Sequence, residues 1–341
     1  EISRDHHRGV AMTYINSAPA IGKITHRPGR HCASSAIRDL IEFHGTNLTE
    51  AACFGIGAGL GITYLELPEA PVPFMTHVRS LGYEKRAFEN MGVPFVWSTY
   101  RSPNEATLAL DELLDAGRPA LLLTDIFHLP YFGSRTHFPG HAIMAWQRTH
   151  SAATVLVTDT DRPHPVPVER DALARARFSC QQPFVHDGDL FAPESIDPDF
   201  SPERVADAIR QNATLLLTDD PHSGLLALDT WINDLPRWET TGDWRWTTRF
   251  AYQVIEKRGT GGGGFRQMYA EFLTDASRND ERIRSYGLPT LMDECAKQWV
   301  ELALQLKSAS ESESFPSLRI ADAIAHVQQA EQRYVESALA Y

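Results

Sequence analysis

Apolar residues in the first part of the chain form one helical stripe, followed by several short strand-like runs. The polar segment 27–30 ends just before Cys32, and the residues that follow repeat with the spacing of an amphipathic helix ending at Gly45. The apolar side of this helix consists of Ala36, Ile37, Leu40, Ile41 and Phe43. Cys32 is therefore predicted to lie at or near a helix N-terminus.

The following apolar runs predict a sheet with helices between its strands. The predicted strands cover 62–67, 93–99, 119–125, 141–146 and 153–159, and the predicted helices cover 83–91, 102–117 and 167–177. Residues 73–82 are predicted to form a loop and edge element, and residues 149–152 the turn of a hairpin.

The pattern changes at residue 183, where Pro, Asp and Gly recur and apolar periodicity is lost until residue 202. Helical periodicity then dominates, with helices predicted over 201–215, 223–235, 244–258, 265–277, 288–306 and 317–341. The predicted organisation is an α+β domain over 1–182, a linker over 183–202 and a mostly α-helical second domain over 203–341.

Composition restricts the classes of partner. The 341 residues are 43% hydrophobic and 22% charged, with a net charge of −12, which argues against a nucleic-acid or anionic-membrane partner. No apolar run reaches the ~20 residues that span a bilayer, and the N-terminal segment has no apolar core typical of a signal peptide. A cytoplasmic protein is expected.

Metal binding is not expected from the cysteine and histidine pattern. The four cysteines are widely spaced with no C-x-x-C pair, which predicts neither a disulfide framework nor a zinc site. His6 and His7 are adjacent and are interpreted as solvated residues rather than ligands. The sequence does not fix the oligomeric state, and a homo-oligomer is possible.

Cys32 is the candidate nucleophile. Unpaired N–H groups and the positive end of the dipole at a helix N-terminus favour a thiolate, and the same N–H groups can bind an oxyanion. The alternative is that Cys32 is a small buried apolar residue, as most free cysteines are.

His141 and Asp159 are the candidate base and its orienting partner. His141 begins one strand of the predicted hairpin and Asp159 ends the other, so the two residues should be neighbours. Asp161 is the alternative third member if the hairpin register differs, and Asp125 is a rival at the end of another strand.

These motifs resemble a known family. Cys32 at a helix start, the run 50–61 in which Glu50 precedes alternating glycines, Gly140-His141-Ala142 and Thr158-Asp159 resemble the N-terminal domain of the butirosin biosynthesis BtrH family. Residues 258–273 are similar to the helical domain of unassigned function that usually follows it. The resemblance implies a papain-like or C39-like cysteine-nucleophile domain, in which a helix packs on an antiparallel sheet.

The resemblance also implies an activity. The family's founding member moves an aminoacyl group from a carrier-protein thioester to an aminoglycoside amine. The expectation is therefore an acyl-Cys32 intermediate, an acyl carrier protein as donor with its 4′-phosphopantetheine arm, a small amine as acceptor and no cofactor bound to the chain itself. C39 peptidases carry a Gln shortly before the cysteine, which the stretch 24–28 lacks, so peptidase activity is not expected.

Several residues are candidates for substrate binding. Tyr131 lies in an aromatic loop before His141, and Arg266 follows a glycine run over 259–264 that forms either a hinge or a phosphate-binding nest. Glu50 either caps a local turn, orients His31 or holds a substrate amine. The candidate set is His31, Glu50, Tyr64, Tyr131 and Arg266.

Other functions stay open. The same site could serve a thioesterase or amidase, or an enzyme that uses a carbon nucleophile for condensation or cyclisation. A non-catalytic module that binds a carrier protein or a peptide is a different class of answer.

Overall fold

The computed structural model describes residues 23–341 except 69, 71, 150–151 and 182–184. The interpretation of His6 and His7 lies outside these residues. The helices are α1 Cys32–Phe43, α2 Glu50–Ile56, α3 Tyr83–Asn90, α4 Pro103–Asp115, α5 Arg170–Arg177, α6 Pro202–Leu216, α7 Leu226–Trp238, α8 Trp244–Glu256, α9 Arg266–Ala276, α10 Glu281–Ser285, α11 Leu288–Ser310 and α12 Ser317–Ala340. The strands are β1 Leu60–Glu66, β2 Phe74–Arg79, β3 Ala120–Thr124, β4 His141–Arg148, β5 Thr154–Thr158, β6 Val166–Glu169 and β7 Leu190–Phe191.

Helix α1 packs on an antiparallel sheet whose strand order is β6-β5-β4-β3-β7. Phe43 at the end of α1 contacts Trp146 of β4 edge-on, with ring centroids 6.1 Å apart. Strands β1 and β2 form a separate antiparallel pair. The α+β class predicted from the sequence is therefore confirmed, as is the helical character of the C-terminal part.

Four local predictions are corrected. Residues 93–99 form only an isolated bridge at Ser98, because Pro94 has no N–H to donate to a ladder. Residues 74–79 form β2, in which alternate side chains are buried, rather than a loop. The helix predicted over 167–177 begins at Arg170, because the residues before it pair with β5. Within the segment treated as a linker, β7 pairs with β3.

A buried ion pair joins the helical part to the β1–β2 pair. The Arg266 guanidinium bonds to Glu331 at 2.6 Å and donates to the carbonyls of Val78 and Gly61, and none of its side chain is exposed. Trp299 donates to the same Glu331 oxygen. This corrects the expectation that Arg266 binds substrate, because the hydrogen bonds that its guanidinium donates all go to groups in the core.

Tyr64 is also a core residue. Its ring stacks on Phe74 and Trp231, and its hydroxyl accepts a hydrogen bond from the Trp238 indole at 2.9 Å. Its expected role in substrate binding is corrected for the same reason. None of the helices in the described part of the chain combines the length and the apolar character needed to span a bilayer.

Candidate active site

The start of α1 is fixed by two side chains next to Cys32. His31 is the N-cap, and its Nδ1 accepts a hydrogen bond from the N–H of Ser34 at 3.2 Å. The Glu50 carboxylate accepts from the N–H groups of Arg30 and His31 at 3.0 and 2.8 Å. Half-buried Cys32 is the first helical residue, where the helix dipole favours a thiolate. Glu50 thus holds the chain that leads into the cysteine.

His141 and Asp159 meet at one end of the β4–β5 hairpin. Met144 of β4 pairs with Thr158 of β5, so the first residue of β4 lies near the residue that follows β5. The Nε2 of His141 lies 2.8 Å from both carboxylate oxygens of Asp159. This contact leaves Nδ1 as the ring nitrogen available to the thiol of Cys32.

Further donors hold the Asp159 carboxylate. The Tyr131 hydroxyl donates to Oδ2 at 2.6 Å, and the Thr160 hydroxyl donates to Oδ1 at 2.9 Å. Both alternatives to Asp159 are placed elsewhere, since Asp161 is exposed and Asp125 pairs with His137 at 2.6 Å. Tyr131 therefore supports the carboxylate instead of standing free to contact a ligand.

Two contacts attach the segment before Cys32 to the turn that carries Asp159. Gly29 donates its N–H to the carbonyl of Thr160 at 2.6 Å. His26 bonds to the Arg162 carbonyl through Nε2 at 2.7 Å and to the Asp39 carboxylate, on α1, through Nδ1 at 2.5 Å. These contacts explain how residues more than a hundred positions apart share one site.

The electrostatics favour a charged pair. Burial alone would raise the pKa of the Cys32 thiol, but the rings of His31 and His141 outweigh it and hold the pKa well below its ordinary value. Burial would lower the pKa of His141, whereas the charges of Asp159 and Cys32 raise it to about 10. Burial opposes ionisation of Asp159 as well, yet its hydrogen bonds and His141 lower its pKa. These shifts favour a thiolate, an imidazolium and a carboxylate over the neutral forms of the three groups.

Arg79 is a site residue that the sequence analysis missed. Burial lowers its pKa, but the charges of Glu84 and Cys32 raise it above the ordinary value. Its Nη1 bonds to Glu84 at 3.1 Å, and its guanidinium lies 5.5 Å from the Tyr83 ring centroid. The Tyr83 ring contacts His31 edge-on with ring centroids 5.6 Å apart. The sequence predicts a loop and edge element over residues 73–82, so the position of Arg79 at the end of β2 was not anticipated.

Phe265 brings the helical part of the chain to the same site. Its backbone is left-handed, with φ 73°, which is unfavourable for a residue with a bulky side chain. Its ring stacks on Phe54 at 4.9 Å and contacts His31 edge-on at 5.0 Å. Glycines with positive φ in the run 259–264 supply the turn that allows this placement.

Two known families together match most of the chain. Residues 31–160 match the family described as butirosin biosynthesis protein H, N-terminal, which confirms the resemblance drawn from the motifs. Residues 171–338 match a domain of unknown function, DUF4872. No curated protein matches the chain.

Proposed function

Because residues 31–160 belong to the butirosin biosynthesis protein H N-terminal family, we propose that this protein is a biosynthetic acyltransferase that works through an acyl-Cys32 intermediate. The donor is the thioester of an acyl carrier protein, and the acceptor is a small amine. The papain-like or C39-like fold is part of this proposal, supported by a helix that begins at the cysteine and packs on an antiparallel sheet.

The observation that carries the proposal is a cysteine at a helix start, grouped with a histidine that a buried carboxylate orients. A thiol whose pKa is held well below its ordinary value, beside a histidine held by a buried carboxylate, is the arrangement that nucleophilic acyl transfer requires. A cysteine with a purely structural role does not require a lowered thiol pKa.

In the first half-reaction the Cys32 thiolate attacks the carbonyl carbon of the donor thioester. The tetrahedral intermediate collapses, and the bond from this carbon to the donor sulfur breaks. The departing sulfur takes the proton from Nδ1 of His141 and leaves as a thiol. The products of this step are acyl-Cys32 and a neutral His141.

In the second half-reaction the neutral form of the amine attacks the acyl-Cys32 carbonyl, and His141 takes one proton from the attacking nitrogen. Collapse of this intermediate breaks the bond to the Cys32 sulfur, which leaves as the thiolate beside a restored imidazolium. Asp159 holds the ring orientation and stabilises its positive charge throughout.

The oxyanion is assigned to two donors. The N–H of Cys32, at the first position of α1, has no acceptor among the described residues. His31 uses Nδ1 as an acceptor, so its proton lies on Nε2, and this ring contributes to lowering the pKa of the Cys32 thiol. His31 thus takes the place of the Gln that C39 peptidases carry. Both nitrogens of His26 are already engaged.

An acidic cavity supports a cationic acceptor. Its volume is about 430 Å³, and it borders Glu50 and Arg30, which flank the start of α1. Three further carboxylates line it: Glu271, Asp275 and Asp293. Arg30 is already paired with Glu271 at 2.6 Å, so the remaining carboxylates attract a protonated amine.

The test is to incubate the protein with an acylated carrier protein, with and without a polyamine, and to weigh protein and products. Transfer predicts a transient acyl adduct on Cys32 and an amide that forms only when amine is present. Free acid as the sole product would favour a thioesterase or amidase, and a carbon–carbon product a condensing enzyme. Absence of any adduct and of turnover would instead favour a non-catalytic binding module.

Tyr131→Phe is expected to slow acyl transfer about tenfold, because it removes one hydrogen bond to the charged Asp159 carboxylate. A tenfold loss of rate corresponds to a transition state that is less stable by ~1.4 kcal/mol. The pKa of Asp159 should rise, moving the acidic limb of the kcat/KM profile to higher pH. Tyr286→Phe, which alters an exposed tyrosine of the helical part, is the matched control. An unchanged rate and profile would remove Tyr131 from the mechanism.

A further inference from the structure

Three metal-ligating side chains converge on the loop between β3 and β4. Asp125 follows β3, His128 lies in a 3₁₀ turn directly after it, and His137 precedes β4. One ligand atom from each lies within 4.8 Å of the others. Asp125 is fully buried, whereas His137 is one-third exposed, so the group opens to solvent on one side.

The Asp125 carboxylate is held in a fixed orientation. Its Oδ1 accepts from the N–H groups of Phe127 and Phe138 at 3.1 and 2.9 Å. Its Oδ2 accepts from the Ser179 hydroxyl at 2.7 Å and from Nδ1 of His137 at 2.6 Å. Outer contacts of this kind orient a ligating carboxylate and lower the cost of binding a metal.

The geometry points to a binding site for a divalent transition-metal ion, and we propose Zn²⁺ as its occupant. Two imidazoles and one carboxylate form a donor set that zinc accepts, with water completing a tetrahedron on the exposed side. The ion binds Nδ1 of a neutral His137 ring whose proton lies on Nε2, and Asp125 keeps its hydrogen bond from Ser179. The 2.6 Å between His137 Nδ1 and Asp125 Oδ2 then widens to about 3.4 Å, as bonds of ~2.0–2.2 Å to one tetrahedral ion require.

This site differs from the cysteine site but is connected to it. The three ligands lie at the two ends of the loop that carries Tyr131 and Phe132. The Tyr131 hydroxyl bonds to Asp159, and the Phe132 ring contacts His141 edge-on with ring centroids 5.1 Å apart. A metal at the base of this loop would hold both contacts in place. The absence of a metal was predicted from the cysteine spacing and from His6 and His7, and the spacing of Asp125, His128 and His137 matches no zinc signature either.

The test is calorimetric titration of ZnCl₂ into chelator-treated full-length protein that carries Cys32→Ala, since Cys32 with His141 is itself a competent zinc-binding pair. One equivalent should bind, and His128→Ala and His137→Ala should each weaken it about tenfold or more. His164→Ala, at an exposed histidine outside the cluster, should leave the affinity unchanged.

Two further measurements separate a lost ligand from a lost fold. Zinc should raise the thermal midpoint of the parent protein but not that of the His128 and His137 variants, whose metal-free midpoints report their folding. Co²⁺ should give a visible spectrum without a thiolate charge-transfer band. The proposal is overturned if the Cys32→Ala protein binds no zinc, or if neither histidine replacement changes the zinc affinity.

Discussion

Cys32→Ala is expected to abolish acyl transfer and every trace of the acyl adduct. The loss should be roughly 10⁴–10⁶-fold, because no other group in the described site can form the covalent intermediate. Intact-mass analysis after exposure to an acyl thioester measures the adduct directly. Cys180→Ala, which removes an exposed thiol, is the matched control and should keep both adduct and turnover.

The pH dependence of alkylation tests the reason for this loss. The thiol pKa of Cys32 is lowered, so its thiolate persists as pH falls until that lowered pKa is reached. Since the pKa of His141 is raised to about 10, the charged pair should persist from the lowered pKa of Cys32 up to about that value. Iodoacetamide should therefore modify Cys32 rapidly at pH values that lie below the titration range of an ordinary thiol.

His141→Ala should remove most of this acid-side reactivity, because the thiol loses the partner that stabilises its charge. Alkylation of Cys32 would then rise only towards the alkaline range of an ordinary thiol. If Cys32 in the unaltered protein already follows an ordinary profile, the ionised pair is absent and the binding-module alternative takes precedence.

Local sequence patterns predict both halves of the site, the start of α1 and the β4–β5 hairpin. Helix α1 follows from an apolar stripe after a polar, Pro- and Gly-containing segment, and β4 and β5 are apolar runs separated by a short turn. In a hairpin the start of the first strand lies beside the end of the second strand. His141 and Asp159 could therefore be paired without knowing the rest of the fold. The approach of α1 to this hairpin depends on long-range contacts such as that of Gly29 with Thr160.

Contributions from across the chain could not be predicted in this way. Arg266 follows a glycine run, which suggested an anion site, but its environment is set by Glu331 on α12 and by carbonyls of the β1–β2 pair. Phe265 reaches His31 through a left-handed backbone that composition does not reveal. Spacing along the chain carries no information on these contacts, because each joins elements that are far apart in sequence.

The placement of Phe265 gives the second domain a part in the chemistry. Its ring packs against His31, the residue that caps α1 and is assigned to the oxyanion. In the proposed mechanism, this contact makes the helical part of the chain a support for the oxyanion donor instead of an appended module. The shared core, which runs from α1 through α12, is consistent with this view.

Asp159→Asn is expected to slow acyl transfer by about 10²–10⁴-fold while leaving the fold intact, since the amide is nearly isosteric with the carboxylate. The amide offers no negative charge to the imidazolium, so the pKa of His141 should fall and the neutral pair should replace the ionised one. The loss should appear mainly in kcat, with a smaller change in KM, because Asp159 acts through His141 and does not contact the donor.

Asp161→Asn is the control for this prediction, because it makes the same change two residues away, at an exposed carboxylate in the same turn. It should leave kcat and the alkylation profile of Cys32 unchanged. A large loss in this variant, with little in Asp159→Asn, would transfer the orienting role to Asp161. The buried contact between His141 and Asp159 would then be a structural ion pair, and the pKa of the Cys32 thiol would need another cause.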